Sequence, residues 1–116
     1  MTQLKVTVGG AIEEDASNRF VRAWHRAELG ETFAERHLAF ESWDALARVL
    51  TAKRMEVLSH VRRHNVTSIR ALAQALKRDY SNVHADVQAL SAAGLLDTRS
   101  GKLSADYDTI DTRIAI

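Results

Sequence analysis

Residues 68–96, SIRALAQALKRDYSNVHADVQALSAAGLL, constrain the fold more than any other stretch. Two apolar periodicities meet there across a short polar break. Ile69, Leu72, Ala73 and Leu76 recur at three- and four-residue intervals behind Thr67 and Ser68, either of which can cap a helix. Lys77 and Arg78 interrupt the pattern without a glycine, and Asp79 follows, placed to accept hydrogen bonds from the free N–H groups of the next helix. Within that helix Val83, Val87 and Leu90 fall within about 60° of one another around the axis. Ser81, Ala85 and Gln88 face the opposite way, Asn82 and His84 take the shoulders, and Gly94 stops the run. A helix that packs on one side and offers a polar surface on the other, behind a shorter helix, suits entry into the major groove of DNA.

The charge distribution agrees. The net charge of +1 hides an asymmetry: residues 51–104 hold nine Lys/Arg against four Asp/Glu, a balance of +5, while residues 1–50 and 105–116 each carry −2. Positive charge gathered on the two-helix segment is what a phosphate-binding surface needs, although a solvated helical face can also be basic.

The flanks read more simply. Leu4, Val6 and Val8 alternate with polar residues, the period of a half-buried strand, which Gly9 and Gly10 break. From Ala11 a helical period takes over through Ile12, Ala16, Phe20, Trp24 and Ala27, with Glu13, Glu14 and Asp15 in the first turn and Gly30 beyond its end. Residues 32–40, TFAERHLAF, fit a short strand with Arg36, Leu38 and Phe40 on one side. Ser42 caps a short helix bearing Trp43, Leu46, Val49 and Leu50, and Thr51 caps another in which Met55, Leu58 and Val61 share a face. Past Gly94, Leu95 and Leu96 open an expected strand that turns at Ser100 and Gly101 and returns through Lys102 and Leu103. Ile110, Thr112, Ile114 and Ile116 alternate with Asp111, Arg113 and Ala115 as a final half-buried strand.

The length of 116 residues suits one domain with a modest core. No apolar run approaches the roughly 18–20 residues that span a bilayer, and no basic-then-apolar leader opens the sequence, so a cytoplasmic protein without membrane contact is expected. The absence of cysteine excludes disulfides and thiolate chemistry. No phosphate loop, H-E-x-x-H or G-x-S-x-G occurs, so neither an enzyme nor a cofactor is expected. His60 and His64, four apart on a helix, have the spacing of a shared metal site but no convincing third ligand; a surface pair near a helix C-terminus explains them more simply, and no metal is assigned.

The segment LTAKRMEVLSHVRRHNVTSIRALAQALKRDYSNVHADVQALSAAGLLDTRSGK resembles the winged helix-turn-helix transcriptional regulators of the MarR-like kind over residues 50–103. SIRALAQAL, DYSNVHADVQAL and the closing AAGLL carry the likeness. FESWDALARVLTAKRMEVL, taken with DYSNVHADV, is similar to a bacterial and archaeal subgroup of DNA-binding proteins that resemble antitoxins encoded beside a small toxin. The resemblance implies a winged helix-turn-helix at 42–104, and with the flanks read above the expected fold is α+β, mainly helical with small β elements, with an N-terminal strand-helix extension at 1–41 and a C-terminal strand at 105–116. It further implies an operator-binding autorepressor, a homodimer on double-stranded DNA, and a cognate toxin as a possible second partner.

On that reading Tyr80, Ser81, Asn82, His84, Ala85 and Gln88 face the groove. Asn82 and Gln88 can contact adenine and Ala85 a thymine methyl. Ser68, Arg70, Lys77 and Arg78 would meet phosphate, with Arg99 and Lys102 at the tip of a wing. Two residues depart from the pattern. Ala85 stands where such helices often carry a long polar side chain, and Asp86 puts a carboxylate on the reading helix, either as partner of a nearby arginine or as an acceptor from cytosine. The aromatics Phe20, Trp24, Phe33, Phe40 and Trp43 lie outside the basic segment and form either a second small core or an interface for a dimer or another protein. A protein-interaction module without specific DNA binding is the rival reading.

Overall fold

The computed structural model describes residues 2–9 and 34–116. It is an α+β structure containing, among the described residues, four helices and a three-stranded parallel sheet. The elements are β1 (Thr2–Val8), β2 (Ala34–Phe40), α1 (Trp43–Val49), α2 (Ala52–Arg63), α3 (Ile69–Leu76), α4 (Tyr80–Ala92) and β3 (Thr109–Ile114), with a 3₁₀ turn at Arg99–Gly101 before the last strand. The chain divides into two units, one of Met1–Ala45 with Tyr107–Ile116 and the other of Leu46–Asp106.

In the first unit the strand order is β2-β1-β3. Leu4, Val6 and Val8 are fully buried on one face of the central strand, in register with Arg36, Leu38 and Phe40 of β2 and with Ile110, Thr112 and Ile114 of β3. Thr7, on the other face, is also buried, as expected of a strand with a neighbour on each side. Parallel neighbours need crossover connections. The first runs through residues 10–33, so the helix expected from Ala11 lies outside the described residues; the second contains all four described helices. Gly9 ends β1 with φ 69°, its N–H donating to the Phe40 carbonyl at 3.0 Å. The Lys5 ammonium meets its register partner Asp111 at 2.8 Å.

The second unit buries most of the side chains that periodicity selects, with one correction in α2. Val57, Leu58 and Val61 of α2, Leu72 and Ala73 of α3, and Val83, Val87 and Leu90 of α4 are buried together with Leu95, Leu96 and Leu103, whereas Met55, expected on the face of Leu58 and Val61, is 44 % exposed and Val57 takes its place in the core. Every helix start carries a side-chain cap. The hydroxyls of Ser42, Thr51 and Ser68 accept from the N–H groups of Ala45, Arg54 and Ala71, and the Asp79 carboxylate accepts from that of Asn82.

The segment after α4 departs from expectation. Leu95 and Leu96 form a buried bend in place of a strand, and the hairpin reduces to one antiparallel bridge, Asp97 with Ser104, whose two backbone hydrogen bonds are both 2.9 Å. The preceding residue, Leu103, bridges instead to Val66, donating to its carbonyl at 3.1 Å. These leucines pack as core, which a ladder alternating across two faces would not allow. No described helix is long and apolar enough to cross a membrane.

Candidate nucleic-acid interface

The turn between α3 and α4 sets how the two helices present their side chains. α3 ends with Lys77 N–H donating to the Gln74 carbonyl and Arg78 N–H to that of Ala73, the paired bonds of a Schellman motif. The motif needs a left-handed residue, and Lys77 supplies it at φ 55° and ψ 47°. The same pattern closes α4, where Gly94 donates to Ser91 and Leu95 to Leu90, with Gly94 at φ 84°. One closure uses the residue suited to positive φ and the other a lysine, whose ammonium is thereby held outward on the turn.

α4 is fixed by its apolar side. Val83, Val87 and Leu90 have no exposed surface, each burial stabilising by about 1.5–3 kcal/mol. Tyr80, Ser81, Asn82, Ala85 and Gln88 are exposed, and His84 is half-buried. Tyr80 begins the exposed row: its ring lies 5.4 Å beneath the Arg70 guanidinium carbon and 5.8 Å from the His84 ring, which joins three of the predicted residues in one surface cluster.

Asp86 turns inward. Its side chain is 12 % exposed and is held by two arginines, Arg54 Nε at 3.1 Å and an Arg78 terminal nitrogen at 2.8 Å. Arg54 also donates to the carbonyls of Arg48 and Val49 at 2.8 and 3.2 Å, tying the last turn of α1 to α2 and α4. The carboxylate is therefore a structural anion withdrawn from the exposed arc. Arg78, among the expected phosphate contacts, is committed to this pair and only 15 % exposed. Arg54 was not singled out by sequence reasoning, because it lies 32 residues from Asp86 and no local pattern joins them.

The remaining cations are presented outward. Arg70, Lys77, Arg99 and Lys102 are exposed, while the Ser68 hydroxyl caps α3 and keeps its own O–H free to donate. Arg99 leans on Asp97 at 3.3 Å, yet its side chain remains 91 % exposed. The Val66–Leu103 bridge brings the start of α3 and the Arg99–Lys102 loop within a few residues of one point. Of the aromatic interface candidates, Phe40 is half-buried and Trp43 is 58 % exposed, whereas Phe20, Trp24 and Phe33 lie outside the described residues.

His60 and His64 stack face to face at 4.1 Å, and His64 Nδ1 lies 3.1 Å from the His60 carbonyl, so the rings lie against each other instead of converging on an ion. Burial, and secondarily the charge of His64, lower the pKa of His60. Among the described residues no group of three or more His, Asp or Glu side chains could hold a metal ion.

The chain belongs to the HVO_A0114 family, whose model matches residues 49–112, from the end of α1 into β3. No curated protein and no solved structure matches it.

Proposed function

We propose that this protein is a sequence-specific, double-stranded-DNA-binding transcriptional regulator of the winged helix-turn-helix type. On this reading α3 and α4 are the helix pair, α4 enters the major groove, and the Arg99–Lys102 loop is a short wing. The observation that carries it is the sorting of α4: its one carboxylate is drawn inward by Arg54 and Arg78, leaving an uncharged exposed surface of the hydrogen-bonding side chains Ser81, Asn82 and Gln88 around the methyl of Ala85. Arg70, Lys77, Arg99 and Lys102 flank it as candidate phosphate contacts. The likeness to antitoxin-type regulators extends the proposal to an autorepressor that acts as a dimer and has a toxin as protein partner.

The test is footprinting and titration on the DNA upstream of the protein's own gene. Replacing both Asn82 and Gln88 by Ala is expected to weaken specific binding by about 10-fold or more while leaving the salt dependence unchanged, since base contacts release no counterions. Sequence preference surviving in that variant, with the fold intact by circular dichroism, rejects the groove assignment. The exposed indole of Trp43 favours the second reading, a protein-interaction module. That reading prevails if the wild-type chain binds DNA without sequence preference.

A further inference from the structure

β3 is an edge strand whose second side is unpaired among the described residues. The Ala115 N–H donates to the Val8 carbonyl at 3.0 Å, and in a parallel ladder alternate residues point their backbone groups to the same side. Asp111 and Arg113 therefore address β1, while Ile110, Thr112 and Ile114 turn their N–H and C=O groups outward. The strand, expected to be half-buried, is instead exposed along nearly its whole length, with Ile114 at 47 %.

We infer that this edge pairs with the same edge of a second copy of the chain, antiparallel about a two-fold axis at Thr112, to form a continuous six-stranded sheet. Three features of the sequence TIDTRI fit that register. Thr112 of each copy would exchange both backbone hydrogen bonds with its counterpart, and Ile110 would do so with Ile114, which are the residues with outward-facing groups. Asp111 of one copy then stands opposite Arg113 of the other, and Arg113 opposite Asp111. These are non-hydrogen-bonded pairs, the positions where facing side chains approach most closely. Centring the axis on Ile110 or Ile114 pairs neither charge with an opposite one. Edge charges ordinarily discourage pairing, but here both sit where self-pairing makes them attract. Lys5, already 2.8 Å from Asp111, extends each pair into a Lys5–Asp111–Arg113 line across the junction. Arg113 is exposed and has no ion-pair partner among the described residues, so it is available for that contact.

The inference does not depend on what α4 reads, and its test contains no DNA. Sedimentation equilibrium of the full chain is expected to show a monomer–dimer equilibrium. Arg113→Asp sets two aspartates face to face at both ends of the pair and should raise the dimer dissociation constant by about 10-fold or more. Asp111→Arg should do the same with arginines. Mixing the two variants restores opposite charges at both positions, and native mass spectrometry should then find the heterodimer in excess over either homodimer. Thr112→Pro removes the outward N–H without touching the bonds to β1 and should give a folded monomer by circular dichroism. A wild-type chain monomeric at every concentration overturns the inference. So does a dimer indifferent to both Arg113→Asp and Thr112→Pro.

Discussion

Lys77 is the one non-glycine residue with positive φ in the described chain, and its left-handed backbone costs roughly 1–2 kcal/mol relative to a residue without Cβ strain. A lysine at this point is explained if its ammonium is wanted on the turn, because strain of this kind persists where other interactions over-determine it. Lys77→Gly is accordingly expected to stabilise the fold by about 1 kcal/mol, less the extra unfolded-state entropy of glycine, in urea denaturation. If Lys77 meets phosphate as proposed, the same variant should weaken DNA binding and reduce the slope of log K against log salt by about 0.9, the loss of one phosphate contact. Stabilisation with an unchanged slope would separate Lys77 from the interface. Tyr107 supplies a second residue-scale expectation. Burial pushes its phenol up to about 12, against a smaller opposing effect of Arg36, whereas the unfolded chain titrates near 10. The folded state thus keeps its proton where the unfolded state releases it. The contribution of Tyr107 to stability should be level below pH 10 and fall by on the order of 2 kcal/mol as pH rises from 10 to 12, a slope that Tyr107→Phe removes.

Among the elements, α4 depends on a charge cluster as well as on its apolar stripe. Removing Asp86 leaves Arg54 and Arg78 facing each other at 20 % and 15 % exposure with no anion between them. Asp86→Ala should cost about 3 kcal/mol in urea denaturation, the low end for breaking a buried pair because neither arginine is wholly desolvated. Replacing the trio together, Asp86→Leu with Arg54→Met and Arg78→Met, should recover most of that loss; a triple variant no more stable than Asp86→Ala would show that packing, not the stranded charges, is responsible. How much of this was legible in the sequence depended on range. The caps at Ser42, Thr51, Ser68 and Asp79 each act on an N–H three residues away, and β1 and β3 announced themselves by alternation, so these could be read locally. The order β2-β1-β3 could not, since alternation tells which face a residue occupies but not which strand lies beside it. Arg54 was hidden for the same reason. The expected hairpin shrank to one bridge because Leu95, Leu96 and Leu103 are all drawn into the core, a demand that turn residues at 100 and 101 do not reveal.

The whole chain places its two proposed activities in different units, and that division can be tested directly. Leu46–Asp106 encloses its own buried set, from Leu46 through Val57, Leu72, Val83 and Leu90 to Leu103, and holds the proposed reading helix. The proposed dimer edge, β3, belongs to the other unit. A fragment of residues 42–106 keeps the Ser42 cap on α1 and every cation proposed to meet phosphate. A segment of roughly 60 residues lies near the lower limit for folding alone, so it should unfold cooperatively but at lower denaturant concentration than the full chain. On the proposed function it should bind a single operator half-site with the affinity and salt slope of the intact protein, because the proposed groove and phosphate contacts all travel with it. On an operator with two half-sites the outcomes diverge. An intact chain joined through β3 as inferred should gain from linking the two binding events, whereas the fragment should gain nothing and bind both halves independently. A fragment that stays dimeric in sedimentation places the self-association in the helical unit and removes β3 from the assembly. A folded, monomeric fragment with no half-site affinity takes DNA reading away from α4.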